Sequence, residues 1–142
     1  MANRDATTIA PATHILAWLA VGFLAGAVSV LVFHQGALGL LHGIGLTARP
    51  PYSMAPTAPW GVPQLWSLAF WGGIWGIVLA LVFWRVARGA RLILSAVVFG
   101  AVFPTLVAWF IVAPLKGLPM AGGGQLAPMV TALLINGAWA WG

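Results

Sequence analysis

The side chains best suited to ligation or proton transfer are three histidines, His14, His34 and His42. Imidazole titrates near neutrality and binds metals, and a histidine closing a membrane-length helix can ligate haem, a chlorophyll-type pigment or a metal ion. Their spacing argues against a paired site. His14 and His34 are twenty residues apart, about 30 Å along a helix, and so lie at its opposite ends. His34 and His42 are eight apart, whereas helix metal sites pair residues on adjacent turns. His34 therefore stands alone as the cofactor candidate. The plainer reading is an interfacial histidine bonded to a carbonyl, a water or a headgroup. No cofactor and no metal are expected.

Other reactive groupings are lacking. The chain has no Cys, hence no thiolate chemistry or disulfide. Neither a nucleophile–base pair nor clustered ligands can be traced, so a non-enzymatic protein is expected. Ser29, Ser67, Ser95, Thr105, Thr131 and Asn136 are the polar groups within apolar stretches. Hydroxyls there bond their own backbone or a neighbouring helix, but the Asn136 amide needs a partner helix and is expected to pin one.

These residues sit in a chain built for an apolar solvent. Of 142 residues, 62% are hydrophobic and 5% charged, against about 25% charged in a soluble domain. The net charge of +5 arises because Asp5 is the only acid. The six basic residues form no stripe, which excludes nucleic acid as a partner. Four uncharged runs follow one another at about 15–33, 65–84, 92–112 and 126–142. Each is near the roughly 20 residues needed to cross a bilayer. The run Leu65–Trp84 organises the rest, with Trp66 and Trp84 at headgroup depth and Arg85, Arg88 and Arg91 just beyond it.

A short polar leader, Met1–Thr13, precedes the first run. That run is long for a signal peptide and lacks a close cleavage site, so it reads as an uncleaved span. His34–Leu46 continues in helical style, either extending the first helix or lying along the interface. Residues 47–63 form an outer loop with prolines at 50, 51, 56, 59 and 63, which impose extended or turn conformations. Tyr52 and Trp60 in that loop, with His34, are assigned to the outer surface. Pro104 predicts a kink in the third span, and Pro114–Gly124 a tight turn. The last residues, Trp139-Ala140-Trp141-Gly142, carry no polar tail. Either they sit at headgroup level or the sequence is a piece of a longer one. Arg4 and the 85–91 loop outweigh Arg49 and Lys116 by four basic residues to two. The positive-inside rule then puts both termini in the cytoplasm.

Two patterns concern packing. Gly22-xxx-Gly26 and Gly72-xxx-Gly76 each align small residues on one helix face. That spacing lets backbones approach where lipid supplies no hydrophobic drive for association. It serves either a dimer or, as favoured here, packing of the first two spans. Ala96-xxx-Gly100 offers the third span a similar face. The chain also allows two related hairpins. Leu41-His42-Gly43, Met54-Ala55, Gln64-Leu65 and Gly73-Ile74-Trp75 run in the same order as Leu115-Lys116-Gly117, Met120-Ala121, Gln125-Leu126 and Gly137-Ala138-Trp139. Such a parallel repeat occurs in some transporters. Chance matching in a Gly-, Ala- and Leu-rich chain is the favoured alternative.

Pro50-Pro51-Tyr52, Pro114-Leu115-Lys116-Gly117-Leu118-Pro119 and Trp139-Ala140-Trp141 together give the chain a plan that resembles small bacterial inner-membrane proteins of the YagU type. The resemblance implies four spans in the inner membrane and transfers no site residue. The lack of charge after Trp141 departs from an ordinary helix end.

The expected molecule is thus an all-α polytopic integral membrane protein, residues 1–142 forming a single membrane domain of four transmembrane helices. Its expected partners are the lipid bilayer and either further copies or a larger membrane complex. Gly22, Gly26, Gly72, Gly76 and Asn136 pack helices. The expected role is accessory, assembly or structural. The alternative is a small oligomeric transporter or channel for a neutral or weakly polar solute. A continuous path lined by His34, Ser67, Thr105 and Asn136 would favour the alternative, and helices sealed by Gly and Trp the accessory role. Small multidrug transporters of four spans depend on an intramembrane Glu, and this chain has none.

Overall fold

The computed structural model describes residues 10–83 and 89–142. Of the leader, residues 1–9 lie outside the described residues, as do Trp84, Arg85 and Arg88, whereas 10–13 form the start of the first helix. The described residues are mostly helical and form four helices, three of them long and apolar enough to cross a membrane.

Helix α1 runs through Ala10–Ser29, a π-helical turn at Val30–His34, and Gln35–Gly43. It is longer than the expected 15–33 span, because residues 35–43 contain no proline and bury Leu38 against the bundle. It stops where Gly45 turns left-handed at φ 77°. There the Leu46 N–H reaches Leu41 O at 2.9 Å and the Gly45 N–H reaches His42 O at 3.0 Å. This pair of bonds is a Schellman cap.

The loop that follows folds back on itself. Strand β1, Pro56–Thr57, pairs antiparallel with β2, Val62–Pro63, and the Thr57 hydroxyl donates to Val62 O at 2.7 Å. The loop also supplies carbonyls to the start of the next helix. The N–H groups of Gln64 and Leu65 donate to Ala55 O at 2.9 Å and Ser53 O at 3.0 Å, satisfying donors that a helix N-terminus leaves free.

Helix α2, Gln64–Phe83, returns alongside α1 over about 30 Å. Helix α3 comprises Ala90–Val107, a π-helical turn at Ala108–Val112, and Ala113–Leu115. It continues through Pro104, and one turn later the Ala108 N–H is shared between Pro104 O and Thr105 O. Its end repeats the device that closes α1. Leu118 N–H to Ala113 O, 2.9 Å, and Gly117 N–H to Pro114 O, 3.0 Å, frame a left-handed Gly117. The structural counterpart of Gly117 is therefore Gly45. The sequence matching had paired Gly117 with Gly43, two residues out of register with the caps.

After a turn at Met120–Gly124 with left-handed Ala121, Gly122 and Gly123, helix α4 occupies Leu126–Trp141. At 16 residues it is about 24 Å long, shorter than the three others and than a bilayer core. The last run is thus a shorter helix than the full span expected of it. Its end lies beside Ser29 and Phe33, midway along α1.

The helices form two tight pairs, α1 with α2 and α3 with α4, and α4 also lies along α1 from Gly26 onward. Trp75 and Phe83 of α2 meet Phe99 of α3 edge-on at 6.0 and 5.8 Å. The core is small, centred on Val30, Ala69 and Trp139. Large apolar side chains such as Leu24, Phe70, Leu94 and Leu134 face outward on every helix. A surface of this kind in a monomer is what an apolar solvent or partner would cover.

Candidate functional site

The four glycines singled out for packing meet one another inside a single chain. A Cβ on Gly26 would collide with the Gly72 carbonyl, and one on Gly76 with the Gly22 carbonyl. A Cβ on Gly22 would lie 3.1 Å from both Gly76 O and Ala80 Cβ. Backbone thus rests on backbone, as only glycine permits.

A third helix closes this seam. Trp139 of α4 is 4% exposed, and its indole N–H donates to Gly26 O at 2.9 Å. The Ser29 hydroxyl donates to the Trp139 carbonyl, one of the last carbonyls of α4 that no helical N–H can reach. The other pair is pinned by side chains. Asn136 donates from Nδ2 to the Thr105 hydroxyl at 2.8 Å, and that hydroxyl lies 3.4 Å from Ala132 O. Asn136 of α4 is thereby bonded to α3. Gly100 packs against Ala140, and Gly137 against Ala101.

The loop end of the bundle is polar. Tyr52 and Trp60 are exposed there, at 50% and 87%. His34 departs from the assignment that grouped it with them on the outer surface, being 6% exposed. The π-helical turn that ends on it carries both His34 and Gln35 inward. Gln35 is 2% exposed; its Oε1 accepts the Tyr52 N–H at 2.7 Å, and its Nε2 lies 3.4 Å from His34 Nδ1. The Tyr52 hydroxyl donates to Leu31 O at 3.1 Å. Gln35 thereby fixes Tyr52 in its left-handed conformation, φ 55°, a geometry that side chains other than Gly, Asn and Asp adopt only under such constraint.

Beside Gln35 is a cavity of about 100 Å³, walled by Leu38, Arg49, Pro50, Ser53, Gln64 and Leu68. Burial of its charged end pushes the Arg49 pKa below the usual arginine value, although part of the side chain remains exposed. A second, larger groove of about 430 Å³ runs between α1, α2 and α3 below the end of α4, with Gly22, Gly76, Ala80 and Leu92 in its walls. The two share no lining residue.

His14 is exposed, and the His42 imidazole Nδ1 lies 3.0 Å from Thr47 O at the cap of α1. All three histidines thus lie on α1 and none approaches another. Among the described residues no three His, Asp or Glu side chains group as metal ligands. Arg91 is exposed at the start of α3.

Ser29, Gln35, Arg49 and Trp139 escaped the selection of functional residues. A signal existed for Gln35, a long amide next to His34 in an otherwise apolar helix, and for Trp139, a tryptophan inside an apolar run rather than at its edge. Ser29 and Arg49 carry no such signal, since their roles depend on which helix and loop lie opposite. Comparison of the chain with protein-family models, curated proteins and solved structures finds no match.

Proposed function

We propose that the protein is a small polytopic component of the bacterial inner membrane with a non-enzymatic role in assembling or stabilising a membrane complex. α1, α2 and α3 would cross the bilayer, with α4 packed into the angle between the two pairs. The cytoplasmic side would carry the N-terminus and the loop holding Arg85, Arg88 and Arg91, and α4 would enter the bundle from the opposite face.

One observation carries the reading. Two of the polar groups within the bundle are bonded across helices, and Thr131, fully buried in α4, has no hydrogen-bond partner among the described residues. Ser29 is bonded to Trp139 and Asn136 to Thr105, while the glycine seam is closed by an indole. His34 lies at the loop end, and no hydrogen bond among the described residues joins it to Ser67, Thr105 or Asn136. A transporter for a polar solute would need those groups to share a path. The free surfaces are instead apolar flanks and the Tyr52–Trp60 loop, and these suit lateral contacts with lipid and other subunits.

Native mass spectrometry on the protein gently extracted from its own membrane tests this. The expected result is a hetero-complex whose mass is not a whole multiple of the 14.8 kDa chain. A bare homo-oligomer would overturn it in favour of transport, and a tightly bound small-molecule mass would point to His34 as a ligand.

A further inference from the structure

The cavity beside Gln35 is lined by one cation, Arg49, and three side chains that can donate, Gln35, Ser53 and Gln64. Among the described residues Arg49 meets no carboxylate side chain. The one hydrogen bond Arg49 makes among the described residues comes from its backbone N–H, to the Thr47 hydroxyl at 3.2 Å. Its guanidinium, with five N–H donors, makes no hydrogen bond among the described residues. Gln35 is 2% exposed, and its amide nitrogen carries two hydrogens. Its single neighbour, His34 Nδ1, is at 3.4 Å, beyond a normal hydrogen bond. At least one buried N–H is left for the cavity. The Ser53 hydroxyl oxygen accepts the Ala55 N–H at 3.3 Å, so its own hydrogen is free to donate.

Gln64 adds an amide and begins the 20-residue helix α2, whose N-terminal dipole favours negative charge at this spot. The walls that are not donors, Leu38, Pro50 and Leu68, supply no competing acceptor side chain. At about 100 Å³ the cavity holds roughly three waters' worth of volume, taking about 30 Å³ for each. That admits a phosphate-sized group.

We propose that this cavity is an oxyanion site holding one phosphate group, with Arg49 supplying the charge and Gln35, Ser53 and Gln64 the neutral donors. The phosphate comes either from an anionic phospholipid headgroup or from free inorganic phosphate. Arg49 engages it through two parallel N–H groups, a geometry that lysine cannot reproduce. The site does not depend on the assembly role, since it asks nothing of a partner protein.

The test uses the full chain in a neutral, phosphate-free detergent. Binding of inorganic phosphate and of short-chain phosphatidylglycerol is measured by calorimetry, with bound lipid counted by native mass spectrometry. The expected result is one saturable equivalent of at least one probe. Arg49→Gln is expected to weaken it at least tenfold, Arg49→Lys to weaken it to a lesser degree, and Ser53→Ala to weaken it a few-fold. Arg91→Gln, at the opposite end, is expected to leave it unchanged. Binding of phosphate alone identifies a free-anion site, and binding of the lipid alone a headgroup site. Failure of both probes to bind the folded wild-type chain would overturn the proposal. So would equal binding by wild type and by Arg49→Gln and Ser53→Ala variants whose helical circular dichroism is intact.

Discussion

The two helix pairs reach the same close contact by different means. Between α1 and α2 the contact is backbone on backbone, with Gly22 and Gly26 facing Gly76 and Gly72, and no side-chain hydrogen bond joins the two helices among the described residues. Between α3 and α4 one glycine, Gly100, admits Ala140, and the pair is then held by the Asn136 amide on the Thr105 hydroxyl. Where lipid tails are as apolar as leucine, association rests on van der Waals packing and interhelical hydrogen bonds. Each pair here leans on one of the two. The first tolerates no added atom, and the second tolerates no lost amide. Trp139 belongs to both, being a residue of α4 whose indole lies in the α1–α2 seam.

That difference is open to breaking, and Trp139→Ala should break it furthest. It empties the junction of both pairs and removes the bond to Gly26 O, at about 3–5 kcal/mol for a buried tryptophan. Unfolding of the detergent-solubilised protein measures the loss. Next comes Gly26→Val, which forces α1 and α2 apart against the Gly72 carbonyl. The expected destabilisation is about 1–3 kcal/mol, and Gly137→Ala should be far milder, because its Cβ would meet Ala101 Cβ at an ordinary 3.5 Å. Equal losses in those two variants would erase the distinction between the pairs. Asn136→Ala should cost about 0.6 kcal/mol, and less than 2, as interhelical bonds in membranes do. The same change should leave the α1–α2 contact intact by cross-linking. The smallest effect has the opposite sign. Gly36 has nothing within 4 Å of its would-be Cβ, so Gly36→Ala should raise stability by about 0.5 kcal/mol through helix propensity alone.

Much of the fold was legible because it follows from local chemistry. Uncharged runs of membrane length, glycines four apart and an amide inside an apolar run each state a physical requirement of their own. Gly26 needs a facing backbone, and Asn136 needs a partner, whatever the rest of the chain does. The extension of α1 through residues 35–43 was one of two readings that the sequence left open. Residues 35–43 mix polar and apolar positions, and they stay helical because Leu38 and Gln35 are buried by other parts of the molecule. The burial of His34 has the same origin, since a histidine ending an apolar run looks interfacial until the π-helical turn carries it inward beside Gln35. The short β1–β2 pair and the cavity at Arg49 required knowing how a five-proline loop closes on the start of α2. The repeat illustrates the reverse error. Matching letters aligned Gly43 with Gly117, whereas the left-handed cap positions align Gly45 with Gly117.

The central claim is that the glycine faces of α1 and α2 close on each other within one chain, leaving the flanks for partners. Disulfide trapping in native membranes tests it directly, because the chain has no Cys of its own. Gly22→Cys combined with Ala80→Cys places Cβ atoms about 3.1 Å apart, slightly inside the usual range of about 3.5–4.5 Å. The account predicts a cross-linked monomer of shifted mobility and no covalent dimer. Dimers forming at the expense of that monomer would instead put the glycine faces at an interface between copies.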